Sequence, residues 1–237
     1  MIVRHTAEQS ATASSTLPAL VVADGTLEAL KWLGLALMTL DHVNKFLFAQ
    51  ELPLIFEAGR IAMPLFGFVL AYNLARPAAR ASGAQARTLK RLLIYGLLAT
   101  PMFVLLVGWW PLNILFTLLL SASIIHLMDR GGTLNIVIAT GLFIIGGALV
   151  EFWWFAVLYC VGAWAYCRAA SVGRLLFWMS ATATLAIVNG NHWALAALPL
   201  IFLAPRLALW MPRHQRAFYL YYPVHLAALL AVQKALA

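Results

Sequence analysis

Residues 30–46 read LKWLGLALMTLDHVNKF. The first part is an apolar run broken only by Lys31. The second part brings Asp41, His42, Asn44 and Lys45 into five consecutive positions. Whether this is the greasy face of a soluble helix or a helix that crosses a membrane decides the fold, and the rest of the chain answers it. Hydrophobic residues make up 64% of the sequence and charged residues only 10%. A soluble domain carries about 25% charged residues, so this chain cannot clothe a water-facing surface. The reading is all-α: a polytopic, integral membrane helical bundle with lipid around it.

Outward from that stretch, apolar segments alternate with short polar breaks. Helices are expected near 27–48, 53–75, 88–107, 112–128, 133–150, 152–170, 174–188, 192–210 and 217–236, for about eight or nine transmembrane helices. Residues 1–26, rich in Ala, Ser and Thr, read as a flexible N-terminal segment ahead of a single transmembrane domain over 27–237. Cys160 and Cys167 lie seven apart in one apolar segment, a helical rise of roughly 10 Å. That is too far for a disulfide, so both read as packing residues.

The net charge of +8 would suggest nucleic acid in a soluble protein. In a membrane chain, basic residues gather in cytoplasmic loops instead, and no nucleic acid is expected. With the N-terminus inside, all 16 Lys and Arg residues except Lys45, Arg60 and Lys234 fall at cytoplasmic ends. The same projection places Asp41, His42, Arg60, Asn113, Thr117 and Glu151 toward the opposite face. His225 falls about nine residues into the last helix, roughly 13 Å from its start.

Each group has a chemical and a structural reading. A carboxylate beside an imidazole can fix its tautomer, and His is the usual general base near neutral pH. Asp41 and His42 are also adjacent on a helix and point about 100° apart, and Asp41 lies i, i+4 from Lys45, where a local ion pair is the simpler account. Arg60 can clamp an anionic group or pair with Asp41 or Glu151. Asn113, Thr117 and Ser121, spaced by four, make a polar stripe that faces either a substrate or a neighbouring helix. Tyr219, Tyr221 and Tyr222 fit an interfacial aromatic belt, and His225 lies deeper than that belt. The basic run 76–91, RPAARASGAQARTLKR, suits either topology or the phosphates of a nucleotide cofactor. The histidines are too scattered to propose a metal site.

The blocks LKWLGLALMTLDHV, GRIAMPLFGFVLAYNLAR, RLLIYGLLATPMF, LNILFTLLL and YLYYPVHL occur in this order. The series resembles the TraX family of conjugative-plasmid membrane proteins over roughly residues 28–230. That resemblance implies N-terminal acetylation of a conjugative pilin subunit in the bacterial inner membrane, with acetyl-CoA as donor. It is also similar, more distantly, to multi-pass acyltransferases that carry acetyl groups across membranes. In that frame His42 backed by Asp41 is the base. Arg60, Asn113, Thr117 and Glu151 contact the substrate, and Lys90 and Arg91 lie near the donor phosphates. His225 acts from the cytoplasmic half, positioning the thioester or carrying the acyl group. Two alternatives stay open: another pilin-maturation step such as head-to-tail joining, and a non-enzymatic factor for pilin or secretion assembly.

Overall fold

A computed structural model describes Leu17 and residues 19–236. Twelve α-helices make up its framework. The first is α1 (Asp24–Leu47), followed by α2 (Pro53–Gly59) and α3 (Ala62–Ala75). A short α4 (Pro77–Ala81) leads into α5 (Ala84–Leu106), α6 (Ile114–Arg130), α7 (Thr133–Gly147) and α8 (Trp153–Arg168). Next come α9 (Val172–Thr184) and α10 (Ala186–Asn189), then α11 (Ala197–Leu203) between two 3-10 turns, and finally α12 (Gln215–Leu236).

The sequence explains where helices stop. Pro53 and Pro77 occupy first-turn positions, where a missing N–H costs nothing. Pro64 has no N–H for the carbonyl of Arg60, and the chain breaks between α2 and α3 at Arg60 and Ile61. The apolar stretch 142–166 is cut near Glu151, where Phe152 and Trp153 take left-handed backbone at φ 59° and 50°.

At the centre lies α3, with Leu65, Phe68 and Ala71 fully buried. It packs against Tyr159, Cys160 and Ala163 of α8 and against Trp178 of α9. Gly67 makes the close approach possible, because a Cβ there would stand 2.9 Å from the Tyr159 ring and 3.0 Å from Cys160 Sγ. Small residues are how membrane helices pack closely where lipid offers no hydrophobic drive. The Tyr159 hydroxyl donates to the Pro64 carbonyl at 2.7 Å, joining α8 to α3. Both cysteines are free thiols.

The periphery is apolar. Leu134, Val137, Ile144 and Ile145 of α7 all stand out from the bundle, Leu134 at 72% exposure. The most exposed tryptophans fall between the longer helices: Trp109 and Trp110 before α6, Trp193 after α10, Trp210 before α12. An apolar girdle rimmed by tryptophan is the surface a bilayer selects. This is an all-helical membrane protein.

The expected count of eight or nine crossings is not supported by helix length and apolarity. Among the described residues, three stretches are long and apolar enough to cross: Pro53–Ala75, Ala84–Leu106 and Val172–Asn189. The α7 run has 15 residues, short of the roughly 20 that a span needs. Segment 192–210 is two 3-10 turns around the short α11. Apolar character alone marks burial or lipid contact, and it does not measure helix length.

Of the N-terminal stretch expected to be flexible, residues 1–16 and residue 18 lie outside the described residues. Its last part is packed. Val22 is buried and donates its N–H to the Tyr72 hydroxyl at 2.9 Å, and α1 begins three residues before position 27. Thr26 Oγ1 donates to the Leu207 carbonyl at 2.7 Å, tying the start of α1 to the connection before α12.

Candidate active site

The four polar residues of the opening stretch go to four different tasks. Asp41 takes its charge partner from the α2–α3 break: Arg60 Nη2 donates to its Oδ1 at 2.5 Å. The pair is mostly buried, with side chains 14% and 15% exposed. Gly59 makes room for it, since a Cβ there would come within 2.5 Å of Asp41 Cβ. The Arg60 guanidinium also lies 4.4 Å over the Phe56 ring, and its Nε donates to the Phe56 carbonyl at 3.1 Å. Helix α1 therefore delivers the carboxylate, and the helix break delivers the guanidinium.

Asn44 has a structural task. Its side chain brackets Leu52, donating to the carbonyl at 2.9 Å and accepting from the N–H at 3.1 Å. This clamp holds the turn in which Ala49 and Gln50 take left-handed backbone, uncommon for residues with a Cβ. Lys45 makes no ion pair with Asp41; its ammonium lies 5.3 Å over the Phe46 ring.

His42 meets His225. The Nδ1 of His42 and the Nε2 of His225 are 2.7 Å apart, and the rings lie within 12° of coplanar. His225 Nδ1 is 3.2 Å from the Tyr221 carbonyl one turn earlier in α12. The placement of His225 in a separate, cytoplasmic half is corrected here. Depth counted along α12 does not fix its level against α1, and the two histidines belong to one cluster. Just below them, the Tyr221 hydroxyl and Thr39 Oγ1 are bonded at 2.8 Å.

A cavity of about 590 Å³ opens beside this cluster. At one end it is lined by Asp41, His42, Lys45, Arg60, Glu151 and Tyr222. Its middle is apolar, with Met38, Met63, Val69 and Leu118. At the other end stand Lys31, Arg76, Arg87, Arg91 and Arg213. Lys31 and Lys45 are on the same helix, about 21 Å apart at 1.5 Å per residue. One continuous cavity thus joins a basic mouth to a mixed-charge end along this length of α1.

Glu151 sits in the turn between α7 and α8. Burial pushes its carboxyl up to about 7, against the pull of Lys45, the Ile114 N–H and Arg60. It is therefore a carboxyl that changes charge near neutral pH.

Not every expected residue comes to this cavity. Asn113 is buried as the N-cap of α6, accepting from the Leu115 N–H and donating to the Gly96 carbonyl and Thr100 Oγ1 of α5. Thr117 donates to the Glu151 backbone carbonyl at 2.9 Å, and Ser121 to the Thr117 carbonyl. The stripe bonds the bundle together, although Thr117 helps to hold the turn that carries Glu151. Lys90 is exposed and outside the lining, whereas Arg91 is part of it. His225 stands behind His42 and does not line the cavity. Lys31 and Arg213 read in the sequence only as topology signals, because a cation at the inner membrane face looks the same whether or not a ligand meets it, whereas Arg76 and Arg87 lie in the basic run that suits either topology or phosphates.

The chain is 34% identical to Protein TraX of Escherichia coli over 107 residues, 45% of this chain and 41% of that protein. The match thus spans less than half the length of that relative. No solved structure matches the chain. The family model described as TraX protein matches residues 26–233. That match runs from the first turn of α1 into the end of α12 and takes in Asp41, His42, Arg60, Glu151 and His225 alike, so the chain belongs to the TraX family.

Proposed function

We propose that this chain acetylates the N-terminal amine of a conjugative pilin subunit in the bacterial inner membrane, with acetyl-CoA as donor. The supporting observation is the single cavity, basic at one end and lined by His42, Asp41, Arg60 and Glu151 at the other. The donor's phosphates meet Lys31, Arg76, Arg87, Arg91 and Arg213 from the cytoplasm through charge-assisted hydrogen bonds. Its pantetheine arm lies along the apolar middle, and the thioester reaches His42.

A peptide α-amino group has a pKa of about 7.7–8.0, so it arrives mostly as an ammonium. Glu151 holds that ammonium and accepts its extra proton. The neutral amine then attacks the thioester carbonyl carbon. A C–N bond forms and the C–S bond breaks. The proton shed by nitrogen passes to His42 and from there to the departing thiolate, leaving an acetamide and free CoA thiol. Arg60, fixed by Asp41, stabilises the developing oxyanion.

Intact mass of the pilin, made with and without this protein, tests the reading. A gain of one acetyl group, about 42 Da, is expected only with the protein present. Loss of one water would mean joining of pilin termini. An unchanged mass in both preparations would leave the chain as an assembly factor.

A further inference from the structure

We propose that His225 is a positioning residue that fixes the tautomer of His42, leaving His42 Nε2 as the free base toward the cavity. Its catalytic consequence rests on the acyl-transfer reading, whereas the tautomer follows from the hydrogen-bond geometry alone.

The chain of bonds has only one consistent assignment for neutral rings. A backbone carbonyl can only accept, so His225 Nδ1, 3.2 Å from the Tyr221 carbonyl, carries the hydrogen. A neutral imidazole protonated on Nδ1 has a lone pair on Nε2. His42 Nδ1, 2.7 Å from that lone pair, must then be the donor. The near-coplanar rings, with centroids 4.9 Å apart, put this bond in the ring planes, where the N–H and the lone pair lie. What remains on His42 is Nε2, unprotonated.

Both rings are neutral because neither has a carboxylate within ion-pair distance among the described residues, and an unpaired imidazolium is costly to bury. The assembly is also held in place. Thr39 Oγ1 donates to the Leu35 carbonyl, so the Tyr221 hydroxyl donates to Thr39. The Tyr221 ring lies 5.2 Å from His225 at 14°. Thr39 and His42 are one turn apart on α1, and Tyr221 and His225 are one turn apart on α12. The two bonds therefore fix both the register of the helices and the orientation of the pair. His225 acts through His42, since only His42 lines the cavity.

The test combines two variants with a direct reading of the tautomer. In His225→Gln the amide oxygen can accept from His42 Nδ1 while the amide NH₂ donates to the Tyr221 carbonyl. His225→Leu can do neither. With purified full-length protein in detergent, His225→Leu should lower kcat by about 10²-fold with donor KM unchanged, and His225→Gln should restore it to within about tenfold of the parent. Nitrogen-15 spectra of histidine-labelled protein should show His42 Nε2 as the unprotonated nitrogen in the parent and in His225→Gln. In His225→Leu the two tautomers should mix. Protonated Nε2 on His42 in the parent would overturn the proposal, as would a folded His225→Gln no more active than His225→Leu. If acetylation fails for the parent itself while the spectra show the assigned tautomer, the acyl-transfer reading falls and the positioning of His42 by His225 stands.

Discussion

Arg60, in the break between α2 and α3, reaches Asp41 on α1 and bonds it at 2.5 Å in a largely buried setting. Such a pair is weak evidence for net stability, yet removing one partner strands a charge and costs about 3–5 kcal/mol. Asp41→Asn and Arg60→Ala should each lower the melting temperature in detergent and abolish most acetyl transfer. The double change to Leu at both positions should recover much of the thermal stability and none of the activity. Recovery of activity in the double variant would show that the pair only holds helices together.

The pair depends on Gly59. A methyl group there would stand 2.5–2.7 Å from Asp41 Cβ, Cγ and Oδ1; the carboxyl can rotate away only by leaving Arg60, and the Cβ can yield only if α1 or α2 shifts. Overpacking of this kind costs about 1–3 kcal/mol. Gly59→Ala should therefore reduce kcat while the protein still inserts. Unaltered kinetics and melting would mean that the carboxylate position is not critical.

What could be read from the sequence divides along physical lines. Asp41, His42, Arg60 and Glu151 stood out because ionisable groups in apolar segments need a partner or a task. The cavity gathers all four. Asn113 and Thr117 stood out for the same reason but went to a cap and to interhelix bonds, since a polar stripe satisfies a neighbouring helix as readily as a ligand. His225 was visible as a polar group below an aromatic belt. Its partner was not, because helix-to-helix level is a tertiary property. Helix positions followed the apolar runs, but the runs do not support a count of crossings, because 3-10 turns and short helices carry the same apolar composition as spans.

Asn113 separates a structural role from a substrate role. It makes three hydrogen bonds, one of them the N-cap of α6, and does not line the cavity. Asn113→Ala should cost about 1–2 kcal/mol of stability through the lost cap and the unsatisfied groups left behind. Steady-state kinetics below its melting temperature should give unchanged KM for donor and acceptor. A raised acceptor KM would restore it to substrate contact.

The basic mouth gives a contrast within one helix. Arg87 and Arg91 line the cavity and Lys90 does not. Changing Arg87 and Arg91 together to Gln should raise the donor KM by about tenfold or more, since each charge-assisted bond to phosphate contributes about 1.5–3 kcal/mol before solvent screening reduces it. Lys90→Gln should leave the donor KM where it was. Equal effects from all three would mean that the mouth acts only through its overall charge.

Glu151 sets the pH dependence. Burial holds its carboxyl at about 7. Below that pH the group is neutral and offers no charge to an ammonium. Above it the carboxylate forms, while the acceptor amine stays largely an ammonium until about pH 8. The acceptor KM should therefore fall as pH rises from about 6 through 7, and flatten as the amine itself deprotonates. Glu151→Gln keeps the shape and removes the titration, so its acceptor KM should be high and nearly independent of pH over that window, with donor KM unchanged. A competing origin for the same profile is titration of a group in the chemical step, which would act on kcat rather than on acceptor binding. Measuring kcat and acceptor KM separately distinguishes them. If Glu151→Gln keeps the parent's pH-dependent acceptor KM, the carboxyl does not hold the acceptor, and Thr117, whose hydroxyl bonds the Glu151 backbone, positions a turn with no part in amine binding.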